Sequence, residues 1–134
     1  MTLSTSDRAA ITDLINRFGH LIDDGDFDRL TELFTADVVY DVSDLGFGVI
    51  RGLTAFREGA LALGDGNPVG HHVTNVVITT DEDGEVRALS KGLGVNADGT
   101  TRSATYEDTI IRADDGGWRI SHRVLRARRT PLTR

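Results

Sequence analysis

The 134-residue chain contains no cysteine, which excludes a disulfide framework, a thiolate metal site and a cysteine nucleophile. It also lacks long apolar runs, since no segment approaches the roughly 20 residues needed to cross a bilayer. The N-terminal stretch MTLSTSDRAA has no apolar segment of the kind found in signal peptides. We therefore expect a cytoplasmic protein with no membrane partner. We expect residues 1–134 to form one domain, with a loose C-terminal tail from about residue 128.

Several catalytic and binding motifs are also missing. The sequence has no HExxH, no CxxC, no glycine-rich phosphate loop and no GxSxG. Zinc hydrolysis, nucleotide binding and serine hydrolysis therefore gain no support. His20, His71 and His72 form no helical i,i+4 pair, and we expect neither a metal nor a cofactor.

Charge is distributed unevenly along the chain, whose formal net charge is −6. Every Asp and Glu precedes Trp118, whereas six arginines follow it, at positions 119, 123, 126, 128, 129 and 134. A basic tail can contact nucleic acid, but the acidic body repels phosphate and no aromatic residues interleave with these arginines. We expect no nucleic-acid partner, and a final strand whose charges face water or pair with the acidic body.

The first half of the sequence predicts helices. Apolar residues recur with helical spacing between positions 4 and 24, after a capping-box pattern at Ser4 and Asp7 and before a stop at Gly25. Asp26 predicts the cap of a shorter second helix, over 27–34. A strand over 38–42 and its hairpin return over 46–50 follow. A third helix is expected within 53–63, with Phe56, Ala60 and Leu63 toward the core.

The second half predicts an antiparallel meander. Strands are expected near 70–80, 85–96, 101–113 and 117–127, because segments rich in Asp, Asn and Gly separate them. Helices first and strands later indicate an α+β domain.

Two neighbouring histidines, His71 and His72, lie at the start of the strand over 70–80. Alternation places His71, Val73, Asn75 and Val77 on one face, so one histidine faces inward, but alternation does not decide which. Asp23, at the edge of the apolar stripe of helix one, is a candidate partner. An Asp that holds an imidazole leaves its second nitrogen available as a general base. The alternatives are surface histidines and a solvated helix terminus.

The order of short segments along nearly the whole chain resembles the SnoaL-like branch of the nuclear transport factor 2-like superfamily. These segments are RAAI-x-DL at 8–14, IDDGDFD at 22–28, LF-x-x-D-x-x-Y at 33–40, Gly52, H-x-x-TN at 71–75, Y-x-D at 106–108 and GWRI at 117–120. The resemblance implies a cone-shaped α+β barrel. Its three N-terminal helices pack in the concave face of a strongly curved, mixed but mainly antiparallel sheet, around a deep pocket.

Within that superfamily the chain looks most similar to the group of scytalone dehydratase and lindane dehydrochlorinase. Those enzymes use an Asp-His dyad for cofactor-free proton abstraction. Matching segments implies that Asp23 and His71 are catalytic and that His72 faces away. The implied substrate pocket contains Tyr40, Arg123, Phe18 and Asn75. Phe18 replaces a tyrosine found in many relatives, which removes a hydroxyl from helix one.

The resemblance further implies a lyase, cyclase or isomerase, with a dehydratase-like elimination foremost. It implies a small hydrophobic or aromatic, polyketide-like substrate and a homodimer or homotrimer. Non-catalytic ligand-binding or scaffold subunits, as in ring-hydroxylating oxygenases, share the fold and are the alternative. Limonene-type epoxide hydrolysis needs an Asp-Arg-Asp arrangement that Asp23 and Arg123 alone do not supply.

Overall fold

The computed structural model describes residues 2–132. Helix α1 spans Thr5–Asp23 and begins with the expected capping box, in which the Ser4 hydroxyl accepts from the Asp7 amide at 3.0 Å and the Asp7 carboxylate accepts from the Ser4 amide at 3.1 Å. The predicted helix is thus confirmed. Its apolar stripe is buried: Ile11, Leu14, Ile15, Phe18 and Leu21.

The turn after α1 depends on glycine. Gly25 has a φ of 67°, in the left-handed region that glycine adopts at low cost. The Gly25 and Asp26 amides then donate to the Ile22 and Leu21 carbonyls, which satisfies carbonyls at the helix end. The chain therefore reverses tightly here.

The predicted second helix is corrected in type and length. It is a 3-10 helix, Phe27–Glu32, and Asp26 makes no side-chain cap. Leu30 and Leu33 are buried as expected, but Phe34 is the first residue of a strand rather than the last of a helix. Apolar spacing of three residues suits a 3-10 turn as well as an α-helix, so the pattern did not separate them.

Within residues 2–132, six strands form one mixed sheet that is not closed, in the order β2-β1-β6-β5-β4-β3. Their bounds are β1 Phe34–Asp41, β2 Val49–Arg51, β3 Gly70–Thr80, β4 Val86–Val95, β5 Thr101–Arg112 and β6 Trp118–Arg128. The meander β3 to β6 is antiparallel, as predicted, whereas β1 pairs with β6 in parallel. The first strand begins four residues before its predicted start at 38.

This topology defines an open end of the cone. Because β1 and β6 are parallel and the other pairs are antiparallel, the last residues of β1, β6 and β4 lie along the same edge of the sheet as the first residues of β5 and β3. The C-terminus of α1 reaches the same edge, since Asp23 contacts the start of β3. The apolar core fills the sheet's concave side behind this edge.

Helix α2, Leu53–Leu63, confirms the third predicted helix and part of its packing. None of its residues is fully buried: Phe56 is half-buried and packs against the core, Ala60 is half-buried, and Leu63 is 42% exposed. All three side chains also line a cavity. No helix within residues 2–132 is long and apolar enough to span a membrane.

The C-terminal arginines mostly pair with the acidic body, as expected. The pairs are Arg119 with Asp115, Arg123 with Asp108, Arg126 with Glu107, and Arg129 with Asp44. Strand β6 continues through Arg128, where the loose tail was expected to begin. The last two residues of that tail, 133 and 134, lie outside the described residues.

Candidate active site

A cavity of about 1450 Å³ occupies the open end of the cone. Its wall is largely apolar and aromatic, with contributions from α1, α2 and each of the strands β1 to β6; Phe18, Tyr40, Phe56, Tyr106 and Leu125 are members. Such a lining suits a small apolar ligand.

Strand β4 contributes two glycines to the wall of this cavity. The residues on its inward face are Val86, Ala88, Ser90, Gly92 and Gly94, of which Gly92 and Gly94 line the cavity. A β-carbon on Gly92 would lie 2.5 Å from the Tyr106 ring, closer than real carbon contacts. The absence of a side chain there therefore gives Tyr106 its place in the wall.

His71 and Asp23 meet at the edge of the cavity. The His71 Nδ1 lies 2.7 Å from an Asp23 carboxylate oxygen, and the His71 backbone amide donates to both carboxylate oxygens at 3.1 Å. The two side chains are 18% and 25% exposed. His71 also lines the cavity, and its ring stands edge-on to Phe18 at 6.1 Å.

A close approach of α1 to β3 makes this contact possible. A β-carbon on Gly19 would lie 2.2 Å from the His71 carbonyl oxygen, so only glycine fits between the helix and the strand. Asp23 is one helical turn further along the same face. The negative end of the helix dipole disfavours a carboxylate there, and the amide and ring hydrogen bonds from His71 offset that cost.

The rest of β3 does not keep the predicted alternation, in which His71, Val73, Asn75 and Val77 share one face. His71 and Val73 point inward and His72 is exposed, but the pairing register shifts between Thr74 and Val77. Asn75 lies in this bulge with a φ of 58°. The bulge inverts the alternation: Val77 is 54% exposed, and exposed Asn75 does not line the cavity.

Tyr40 and Phe18 lie where expected, in the cavity wall. Burial raises the pKa of Tyr40 above its usual range, and the nearby Arg123 charge only partly offsets this rise. Burial likewise raises the pKa of Tyr106. Both phenols therefore stay protonated near neutral pH.

Arg123 is placed differently from the prediction. It is fully buried behind the wall and does not line the cavity. Its Nε and Nη2 donate to the two Asp108 oxygens at 2.7 and 2.8 Å, and its guanidinium lies 4.3 Å from the Tyr106 ring and 4.7 Å from Phe18. Burial lowers the pKa of Arg123, but the Asp108 charge and hydrogen bonds outweigh it and leave this pKa above its ordinary value.

With the fold and this geometry in hand, comparison with known proteins identifies the family. The sequence pattern of the SnoaL-like domain matches residues 4–124. This chain belongs to the SnoaL-like domain family. No curated protein matches the chain.

Solved structures similar to this SnoaL-like chain support the same fold. A proposed aromatic ring hydroxylase from Novosphingobium aromaticivorans is 27% identical, covers 96% of this chain and 94% of its own, and has a TM-score of 0.74. A nuclear transport factor 2-like superfamily protein from Salmonella enterica is 18% identical, with 96% of both chains covered and a TM-score of 0.73. A Catenulispora acidiphila protein in complex with S-DNPA is 24% identical, covers 92% of this chain and 95% of its own, and has a TM-score of 0.73. The similarities to the Salmonella and Catenulispora proteins show a common fold and nothing more.

Three residues of the SnoaL-like chain were not predicted as site residues, although Tyr106 and Asp108 form the Y-x-D segment that contributes to the family resemblance. Gly19 lies inside the apolar stripe of α1, and a glycine in a helix interior signals close packing. Tyr106 and Asp108 stand two apart, which predicts one face of a strand, but nothing in the sequence paired Asp108 with Arg123. Residues 2–132 contain no group of three or more His, Asp or Glu side chains arranged to hold a metal ion.

Proposed function

We propose that this SnoaL-like chain is a cofactor-independent enzyme in which His71, oriented by Asp23, abstracts a proton from a small apolar substrate. The observation that carries the proposal is the 2.7 Å contact between His71 Nδ1 and Asp23 at the rim of the cavity. With Nδ1 donating to the carboxylate, the lone pair of Nε2 is available as a base. Within residues 2–132 nothing hydrogen-bonds to Nε2.

The reaction we favour is a dehydratase-like elimination. Nε2 takes a proton from a carbon next to a carbonyl, and the electron pair of that C–H bond forms the new double bond. The β-hydroxyl then leaves and takes the proton from the imidazolium, so that the products are an unsaturated ketone and water. A cyclase or isomerase would use the same first step with a different fate for the carbanion.

Each part of the cavity has a role in this scheme. General-base catalysis is worth about 10²- to 10⁴-fold in rate, and positioning of the substrate adds to it. Asp23 stabilises the imidazolium that forms. The phenols of Tyr40 and Tyr106 can donate to the developing enolate oxygen, whereas Arg123 acts behind them, by holding the aromatic wall in place.

The substrate class follows from the lining. Apolar and aromatic walls favour a small hydrophobic, aromatic or polyketide-like molecule. The complex of a structural neighbour with S-DNPA is consistent with small-molecule binding in this fold. The proposal also includes three further points: membership of the scytalone dehydratase and lindane dehydrochlorinase group, a single domain over 1–134, and a cytoplasmic location.

A homodimer or homotrimer is also part of the proposal. Apolar side chains on the outer face of the sheet are exposed, with Val77 at 54% and Leu89 at 48%, and an apolar sheet face favours association. Light scattering would give the subunit number, and a monomer at micromolar concentration would exclude this part.

The test uses His71→Ala and Asp23→Asn, with His72→Ala as the matched control. His72 is the same residue type one position away, but it is exposed on the other face. Turnover of cyclic β-hydroxy ketones such as 3-hydroxy-1-tetralone, whose dehydration yields a naphthol, is followed by absorbance. We expect kcat to fall about 10²- to 10⁴-fold in His71→Ala, less in Asp23→Asn, and to stay within about twofold in His72→Ala.

Equal turnover by wild type and His71→Ala would exclude the mechanism. The alternative function is a non-catalytic ligand-binding or scaffold subunit. Tight binding of these ketones by the wild-type protein without any turnover would favour that alternative.

A further inference from the structure

We propose that the ligand of this cavity carries a carboxylate, which Arg102 binds. This inference deepens the proposed function, because it assigns a chemical class to the molecule that His71 would deprotonate. It depends on three features of the open end: arginines without partners, their position relative to His71, and the space between them.

Arginines without a partner are concentrated at the cavity. Within residues 2–132, most arginine side chains make a hydrogen bond or ion pair; the exceptions are Arg51, Arg57, Arg102 and Arg128. Three of these four, all except Arg57, line the cavity. A guanidinium without an acidic neighbour keeps its donors for a ligand.

Arginines outnumber acidic residues in the cavity lining, although the formal net charge of the protein is −6. The lining contains four arginines, the three above and Arg129, and two aspartates, Asp65 and Asp98. Arg129 is paired with Asp44, and Asp98 is occupied by the Thr100 amide and hydroxyl. The three arginines without partners are therefore the positive charges that the lining offers to an anion.

Arg102 has the most specific position among these arginines. In the register of the sheet, His71 on β3 lies opposite Gly94 on β4, and Gly94 lies opposite Arg102 on β5. Arg102 follows the inward alternation of Ala104, Tyr106 and Asp108. His71 and Arg102 therefore belong to one row across the concave face, with their backbones roughly 10 Å apart, which is two strand spacings.

The residue between them, Gly94, has no side chain. Pro68 packs beside it, since a β-carbon built on Gly94 would lie 3.5 Å from a Pro68 carbon, an ordinary van der Waals contact. Gly94 and Pro68 both line the cavity, as His71 and Arg102 do. A ligand can thus lie along this part of the wall, with its reacting carbon at His71 and an anionic group several bonds away at Arg102. A planar carboxylate matches the fork of a guanidinium in two parallel hydrogen bonds.

The experiment compares 2-naphthaleneacetate with 2-naphthaleneacetamide, two probes that share a ring system and differ in charge. Their dissociation constants are measured by calorimetry at low salt for wild type, Arg102→Gln and the matched control Arg57→Gln. Wild type should prefer the acid by about threefold to tenfold, the range for a partly exposed ion pair. This preference should fall to about one in Arg102→Gln, persist in Arg57→Gln, and decrease with added NaCl.

Any of the following results would overturn the inference: equal affinity of wild type for the two probes, no binding of the acid at millimolar concentration, or a preference that survives in Arg102→Gln. Loss of the preference in Arg57→Gln as well would indicate a general charge effect and would also overturn it. His71→Ala should retain the preference. If the wild-type protein prefers the acid but does not turn over the β-hydroxy ketones, the proposed catalysis is contradicted while the carboxylate site is supported.

Discussion

Two pairs of an aspartate with a nitrogen-containing side chain lie at different depths of the same cone. Asp23 and His71 meet at the open end, where their side chains are 25% and 18% exposed. Asp108 and Arg123 meet behind the aromatic wall, where both are 0% exposed. The first pair borders the cavity, and the second is enclosed by Phe18, Tyr106 and their neighbours.

The difference between the pairs shows what burial does to a charged contact. Arg123 cannot release its proton, and its carboxylate partner accepts two hydrogen bonds, so this pair is a fixed charge arrangement that positions the rings around it. The His71 ring is accessible from the cavity, and within residues 2–132 its Nε2 has no hydrogen-bond partner. The deep pair therefore suits a structural role, and the open pair suits proton transfer.

The largest expected effect comes from breaking the deep pair. Arg123→Met leaves Asp108 buried without its partner, and we expect the free energy of unfolding to fall by about 3–5 kcal/mol. The double variant Arg123→Met with Asp108→Leu should recover most of this loss, because no unpaired charge remains. Urea denaturation followed by circular dichroism measures both changes.

The open pair provides the contrast for that experiment. His71→Ala should lower the free energy of unfolding by only about 1 kcal/mol, since the contact is partly exposed. If Arg123→Met destabilises the protein no more than His71→Ala does, the proposed division between a structural and a reactive pair is wrong.

A change at Gly19 tests the open pair indirectly, because it displaces α1, which carries Asp23, while Asp23 and His71 themselves stay unchanged. In Gly19→Ala the new methyl group would lie 2.2 Å from the His71 carbonyl, so α1 must move away from β3. We expect a loss of about 1–3 kcal/mol in the free energy of unfolding and reduced turnover, since Asp23 moves with the helix.

The matched control is Gly59→Ala, also in a helix, where no atom lies within 4 Å of the new β-carbon. There the higher helix propensity of alanine should stabilise the protein by about 0.5–1 kcal/mol. Thermal denaturation of the two variants separates the clash from the propensity effect, and equal stability of both would contradict the close approach of α1 to β3.

The smallest effect concerns a third, exposed group of charges. Hydrogen bonds from Arg29 and Arg17 lower the pKa of Glu32 from 4.5 to about 2. A lowered carboxyl pKa means that the stabilisation is complete above about pH 4.5 and is lost as the pH falls through about 2. The difference in unfolding free energy between wild type and Glu32→Gln should therefore be constant above pH 5 and shrink below about pH 4.

Glu58→Gln is the control for this titration, because Glu58 makes no ion pair within residues 2–132. The difference in unfolding free energy between wild type and Glu58→Gln should not vary with pH over the same range. If the difference in unfolding free energy between wild type and Glu32→Gln stays constant down to pH 2, the ion pairs of Glu32 with Arg29 and Arg17 do not contribute to stability as proposed.

Much of the fold could be predicted because its signals are local. The Ser4 capping box and the 3.6-residue apolar period fix α1, and the Asp- and Gly-rich turns delimit β3 to β6. The 3-10 helix was missed because three-residue apolar spacing does not distinguish the two helix types. The bulge at Asn75 was missed because it arises from the pairing of β3 with β4 and has no signature of its own within the strand.

The site was less predictable, since it depends on contacts between distant segments. The residues alone indicated Asp23 as a candidate partner of an inward histidine, and the family resemblance selected His71. Spacing could not show the contact, because 48 positions separate the two residues. Asp108 and Arg123 lie directly opposite each other on β5 and β6, and this register cannot be read from either strand alone. Because of this pairing with Asp108, Arg123 lies behind the cavity wall and not in the pocket, where it was expected.

The position of Gly94 separates two properties of the molecule, the volume of the cavity and the geometry of the Asp23–His71 pair. Gly94 lines the cavity and belongs to a strand that carries neither Asp23 nor His71. A β-carbon there would occupy part of the cavity, and the atoms within 4 Å of it belong to Pro68. The volume accepted by this fold can thus diverge among descendants of one ancestor through changes in a single strand.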